Sequence, residues 1–215
     1  VLFKVQKFSY NGAKLKKREA FMSSTLRAVI LLLLVASCGV TRYSPPRNLD
    51  NACSILAQRP AFDRAFQAVK RKWGIPVHVQ MAIIHQESRF KADARTPMKY
   101  ILGVIPTGRQ SSAFGYSQAL DGTWKEYRQS TGRFGARRDD IYDASDFIGW
   151  YLTASNRELG ISLSDTRNQY LAYHEGRRGY KRRSYNSKRW LLDVSAKVRA
   201  RGNTYERQLR GCGRN

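Results

Sequence analysis

Behind Pro76 the chain reads VHVQMAIIHQE, which packs Val77, Val79, Met81, Ala82, Ile83 and Ile84 into one short stretch. Proline suits a first helical turn, where its missing N–H would have had no partner. A helix starting there is apolar on most of its circumference, so it belongs inside a domain with other elements around it. The chain supplies those elements. Phe62, Ala65, Phe66 and Val69 recur at helical spacing and end near Trp73 and Gly74. Asp121 is expected to cap a helix through Tyr127, and Asp139 or Asp140 to start one carrying Ile141, Ala144, Phe147, Ile148, Tyr151 and Leu152. Ser164 is expected to cap the next, from Tyr170 to His174, which the two glycines Gly176 and Gly179 break. A last helix covers roughly 188 to 210, with Leu191, Val194, Val198, Tyr205 and Leu209 inward. These patterns predict a mainly α fold without a convincing sheet.

One segment departs from this pattern. Ala94 to Ala113 contains Pro97, Gly103, Pro106 and Gly108 around a short apolar run from Tyr100 to Ile105. It reads as a long loop or a small hairpin. A loop of that length in a compact domain is usually functional or mobile.

The first fifty residues read differently. Ala28 to Ala36 is AVILLLLVA, too short to span a bilayer, which needs about 20 apolar residues. It has the length of a secretory h-region. Val35-Ala36-Ser37-Cys38 follows and resembles the lipobox of bacterial lipoproteins, in which the cysteine is acylated and becomes the new N-terminus. The alternative is an ordinary signal with a chance cysteine. Acyl chains would anchor the protein, each buried methylene contributing roughly 0.8 kcal/mol. Residues before Met22 read as an over-long start or as a basic extension. The expected organisation is an extension and lipoprotein signal over 1–37, a lipid-anchored tether over 38–50 containing Pro45-Pro46, and one catalytic-type domain over 51–215.

The chain has 215 residues and a net charge of +23. Residues 38–215 carry 32 Lys and Arg against 15 Asp and Glu, so about +17 belongs to that part. Such a balance implies an anionic partner without choosing among nucleic acid, headgroups and charged polymers. Two further cysteines, Cys53 and Cys212, lie at the two ends of the domain. In an exported protein they suggest a disulfide, and closing so long a loop stabilises by roughly 4–5 kcal/mol. Two free buried thiols are the alternative.

Chemistry enters at Glu87. A carboxyl at the end of so apolar a helix is partly desolvated, which raises its pKa. An acid that keeps its proton near neutral pH can protonate a glycosidic oxygen and then act as base. Taken alone, Glu87 is better read as a helix-end residue pairing with Arg89 or with solvent. Three short strings change that reading. Glu87-Ser88-Arg89-Phe90 resembles the Glu-Ser-x-Phe signature of the lytic transglycosylase family, whose fold is like that of goose-type lysozyme. Gly115-Tyr116-Ser117-Gln118 stands where that family has Gly-Leu-Met-Gln, and Ala172-Tyr173-His174-Glu175-Gly176 where it has Ala-Tyr-Asn-x-Gly. Each match is weak, but their order and spacing together are specific.

The resemblance covers roughly Ala52 to Arg210 and implies a single lysozyme-like helical domain with a substrate groove. It implies cleavage of peptidoglycan glycan strands between N-acetylmuramic acid and N-acetylglucosamine, with closure of a 1,6-anhydro ring and no attacking water. Glu87 would be the only catalytic acid and base, so the usual carboxylate pair is unnecessary. Ser88, Gly115, Tyr116, Gln118, Tyr173, His174 and Glu175 would line or support the substrate site. Tyr116 and Ser117 replace bulkier apolar residues and suggest a more polar cleft wall. Tyr173 would stack on a sugar or reach toward Glu87, unless it is a core aromatic. Glu175 would touch substrate, orient a neighbour or pair with Arg177 or Arg178. Near the C-terminus Trp190 replaces the family's usual tyrosine, unless Tyr180 or Tyr185 serves instead.

His85 points to another helical face and reads as a core or surface histidine. No metal spacing or phosphate loop is visible, so no metal or cofactor is expected. Arg137-Arg138, Arg177-Arg178 and Lys181-Arg182-Arg183 read as solvated faces or as contacts to peptide-stem carboxylates or anionic lipid. The remaining expectations are a monomer, exported to the periplasmic side and without nucleic acid. Gly39 after Cys38 favours the outer membrane by resemblance to enteric-type sorting. The rival functions are a muramidase that uses water and a non-catalytic wall-binding lipoprotein.

Overall fold

The computed structural model describes residues 44–214. The h-region-like run, Cys38 and the chain up to residue 43 lie outside the described residues. Seven helices and a hairpin follow in order: α1 (Ala52–Gln58), α2 (Pro60–Trp73), α3 (Val77–Ser88), β1 (Met98–Ile101), β2 (Ile105–Arg109), α4 (Asp121–Thr131), α5 (Ile141–Leu159), α6 (Thr166–Lys181) and α7 (Arg189–Gly211). A 3-10 turn, Ser184–Ser187, joins the last two.

The architecture follows from α3. Every residue from Val77 to Ile84 is buried, including His78 and Gln80. Gln80 stays inside because its amide donates to the carbonyls of Phe66 at 3.1 Å and Ile75 at 2.8 Å. Around α3 pack α2, α5, α6 and α7. His85 lies between Phe90 and Tyr205, edge-on to both, and burial pushes its pKa down to about 4. It is neutral near pH 7 and takes no part in the groove.

Several helix starts differ from the sequence expectation. Leu120, not Asp121, is the residue before α4, and the loop hydroxyl of Ser112 accepts from the Asp121 N–H at 3.1 Å. The Asp121 carboxylate turns instead to Arg138, 2.7 Å away. Asp165, not Ser164, caps α6 and accepts from Asn168 N–H at 3.1 Å. A carboxylate one position later reaches the open N–H groups and also suits the helix dipole. Asp140 caps α5 as expected. Gly176 alone interrupts α6, with φ 74° and ψ 155°, and the helix resumes to Lys181.

Residues 44–50, the described part of the segment read as a tether, make defined contacts. The Arg59 guanidinium donates to Ser44 O at 2.6 Å, and the Arg47 N–H donates to Gln58 Oε1 at 3.0 Å. The Gln208 amide donates to Asp50 O at 3.0 Å, and the Tyr205 hydroxyl to Leu49 O. Residues 44–50 are therefore part of the folded body, because side chains of α1 and α7 satisfy their backbone. Cys53 and Cys212 form a disulfide that staples α1 to the end of α7. The described residues, 44–214, fall in one compact unit.

A buried carboxylate ties three helices together. Asp146 of α5 accepts from Lys72 Nζ, Trp73 Nε1 and Tyr127 Oη, each at 2.8 Å. Burial alone would raise its pKa, but these donors hold it below the usual carboxylate range. A depressed folded pKa means its stabilisation is present above the unfolded value of about 3.9 and is lost as pH falls through the folded one. Asp146→Asn is expected to cost about 3 kcal/mol in urea unfolding at pH 7, because Lys72 and Trp73 lose a charged acceptor. That cost should shrink as pH falls below about 3.9, where the unfolded carboxylate takes up its proton first and the folded one only at lower pH.

Candidate active site

The last turn of α3 delivers Glu87 into a groove of about 480 Å³, lined also by Gln118, Tyr151, Tyr173, His174 and Glu175. Its position is fixed from behind. Arg89 and Phe90 both take left-handed backbone, φ 50° and 59°, so the chain reverses sharply after Ser88. Such non-glycine strain costs on the order of 1 kcal/mol per residue and needs compensation. Phe90 supplies it, fully buried and stacked on Phe62 at 5.8 Å. Ser88 is buried and its hydroxyl donates to Ile84 O at 3.1 Å, so it closes the helix rather than pointing into the main groove. It borders the adjoining depression that Glu87 and Gln118 share.

The second string forms the opposite lip. Gly115 has φ +77°, and a Cβ there would lie 2.1 Å from the Arg138 carbonyl oxygen. The close approach it permits is to the chain before α5, sealed by Tyr116 N–H donating to Arg138 O at 3.1 Å. Tyr116 is a correction to the expected cleft wall: it is buried and edge-on to Phe62 at 5.7 Å. It therefore couples this loop to the core instead of facing a sugar. Gln118 does reach the groove. Its Nε2 donates to Ala94 O and Gly115 O, both at 2.9 Å, which clasps the two ends of the hairpin excursion and leaves Oε1 as an acceptor.

The third string comes from α6. Tyr173 enters the groove, edge-on to Tyr151 at 5.1 Å. Its hydroxyl donates to Ser117 O at 2.6 Å, not to Glu87. The α6 tyrosine that bonds Glu87 is Tyr170, one turn earlier. Residues of all three strings thus line one groove.

The model of the Transglycosylase SLT domain family matches residues 26–212. The chain belongs to that family. None of the curated proteins matches it. The SLT domain is of the lytic-transglycosylase, peptidoglycan-acting type.

Within this SLT domain the carboxyl of Glu87 lies inside, although the residue keeps a partly exposed edge. Desolvation pushes its pKa up to about 7, opposed by the hydrogen bond from Tyr170. Tyr170 is buried, and burial together with the Glu87 charge keeps its hydroxyl protonated, hence a donor. Sequence reasoning missed it because it lies outside the motif. The available signal was its spacing of i, i+3 from Tyr173, which puts both on one helical face.

Glu175 is committed elsewhere. It accepts from Lys188 Nζ at 2.8 Å and Ser184 Oγ at 2.5 Å, with His174 Nδ1 at 3.3 Å. Burial works to raise its pKa, yet Lys188, Ser184 and His174 hold it low. Its partners are therefore not Arg177 or Arg178. Arg177 instead pairs with Glu158 at 2.8 Å and lies over the Tyr151 ring. His174 meets Trp190 edge-on at 5.2 Å, so the half-exposed indole stands beside the groove at the start of α7. Tyr185 is a second correction: it pairs with Tyr180 at 5.2 Å beside a different depression, bordered by Glu158 and Lys181.

Removing the Tyr170 hydroxyl takes away a bond that favours charged Glu87. In Tyr170→Phe the Glu87 carboxyl is expected to titrate above its parent midpoint of about 7, read by carbon NMR of labelled glutamate. An unchanged or lower midpoint would contradict this assignment.

Proposed function

We propose that the protein is a lytic transglycosylase that cuts the β-1,4 bond between N-acetylmuramic acid and N-acetylglucosamine. One observation carries this reading: a carboxyl held near pKa 7 by burial, at the point where the three motif strings converge. At neutral pH a large share of Glu87 is protonated. It donates that proton to the bridging oxygen as the C1–O bond breaks, and positive charge develops at C1 or passes to the substrate's acetamido group. The carboxylate left behind accepts the proton of the muramic 6-hydroxyl, whose oxygen closes on C1. Glu87 ends protonated, and the product is a 1,6-anhydro sugar. The Tyr170 hydroxyl steadies the carboxylate between the two steps.

The ring-closing route needs only one carboxyl. Glu175 borders the same groove, but its charge is bound to Lys188 and Ser184. That commitment favours ring closure over a muramidase, which needs a group to position water. Mass spectrometry of digested sacculi decides between them: anhydro ends are expected, and reducing muramic ends would favour hydrolysis.

Glu87→Gln is expected to lose activity on sacculi by about 10³-fold, in line with removal of a general acid. In the parent, activity should fall as pH rises above about 7, because the proton to be donated is lost. The same raised pKa disfavours the folded state once pH passes the unfolded value, so Glu87→Gln should melt no lower than the parent above pH 7. A parent protein that pelleted with sacculi but never cleared them would be a wall binder instead.

We further read Cys38 as the acylation site of a lipoprotein held on the periplasmic side, with Gly39 favouring the outer membrane. The apolar run before it supports this, and no described helix is long and apolar enough to cross a membrane. The folded part acts as a monomer on glycan strands, not on nucleic acid. Labelled palmitate should enter the parent and not Cys38→Ala; equal labelling of both would end this reading.

A further inference from the structure

The hairpin contributes no side chain to the chemistry at Glu87, and its composition is unlike the rest of the surface. Nine large hydrophobic residues are exposed among the described residues, and five of them are Tyr100, Ile101, Leu102, Val104 and Ile105. Leu102 is 85% exposed and Val104 74%. Every residue of β2 is exposed, as are all of β1 after Met98, so both faces of the ribbon stand in water. A two-stranded ribbon is marginal in water, and clustered apolar exposure of this kind marks an interaction surface.

We propose that the hairpin tip, Tyr100 to Ile105, docks shallowly on a membrane surface carrying anionic headgroups. Charge selects this partner. Between Asp93 and Asp121 there is no Asp or Glu, whereas Arg95, Lys99 and Arg109 flank the apolar tip. Arg109 donates to Thr96 O at 2.7 Å and Arg95 lies over the Phe114 ring at 4.2 Å, which fixes two of these cations at the hairpin base. An aliphatic tip above a cationic base is the pattern of interfacial binding, in which apolar side chains enter the acyl boundary and cations meet the headgroups.

The geometry also limits the depth. The paired residues Tyr100 and Pro106, then Ile101 and Ile105, lead to the turn at Leu102 and Gly103. At about 3.4 Å per residue the apolar part is under about 10 Å tall, which matches the interfacial layer. The ribbon's outer edges keep unpaired backbone groups, so it cannot enter the hydrocarbon core. Sugar is a poor occupant, because the Tyr100 hydroxyl is the only polar side-chain group in the tip. Thr96 and Ala113, on either side of the hairpin, line the groove of Glu87. Docking would therefore hold the groove mouth toward the membrane and direct the domain to wall strands lying near it. This goes beyond the proposed reaction and depends on neither that reaction nor Cys38.

The test uses residues 42–215, which carry the core and both bridging cysteines but not the apolar N-terminal run. With vesicles of phosphatidylethanolamine and phosphatidylglycerol, the parent should co-float, and more weakly with phosphatidylcholine alone. Leu102→Asp combined with Val104→Asp should lower that partitioning about tenfold or more while leaving cleavage of soluble glycan strands unchanged. Val104→Trp should show a blue-shifted emission when the anionic vesicles are added. The proposal is overturned if the parent does not float, or if the double variant floats equally well. It is also overturned if the Val104→Trp emission does not move. A parent dimer that the double variant abolishes would assign the tip to a second copy of the chain. Loss of soluble-strand cleavage in that variant would assign it to substrate. Either result also rejects membrane docking. Inactivity of the parent toward glycan would sink the proposed reaction and leave the vesicle result standing.

Discussion

Burial of α3 is the constraint on which the rest depends. A helix apolar around its circumference must be covered on several sides, and α2, α5, α6 and α7 cover it. The carboxyl of Glu87 is desolvated because it follows that buried stretch on the side where α6 brings Tyr170 and Tyr173 against it. Had α3 been amphipathic, its end would have faced water, and the same residue would have been an ordinary exposed glutamate. The core helix and the raised pKa are therefore two consequences of one packing arrangement.

The aromatic cluster behind the groove turns that burial into a defined site. Phe62 of α2 meets both Phe90, just after the turn that carries Glu87, and Tyr116 of the opposite lip. One ring thereby sets the distance between two strings far apart in sequence. Gln118 performs a related task on the other side, where its amide clasps Ala94 and Gly115. Much of what the motif residues do is hold backbone in place, and Glu87 is the motif carboxyl left with its pKa raised.

Carboxyls of similar type are used in opposite ways. Asp146 and Glu175 are both buried carboxylates, and both stay ionised because donors surround them. Glu87 has one hydroxyl partner and no cation among its influences, so desolvation wins. The number and charge of donors, not burial itself, separates a carboxyl that stays ionised from one whose pKa rises.

The order of helices, the buried helix at 77–84, the Cys53–Cys212 pair and the family were legible in the sequence, because periodicity and motif strings act locally, whereas the hairpin was only one of two readings of 94–113. Helix caps were less so: Asp165 rather than Ser164 was settled by which side chain could reach open N–H groups. The roles of Tyr116, Tyr170, Tyr185 and Glu175 were decided only in three dimensions. All four sit in or beside plausible strings, but whether a tyrosine faces a sugar, a phenyl ring or a carboxyl depends on which helices cross above it. Pairwise contacts between distant segments carry no local signature, so only the tertiary structure could assign them.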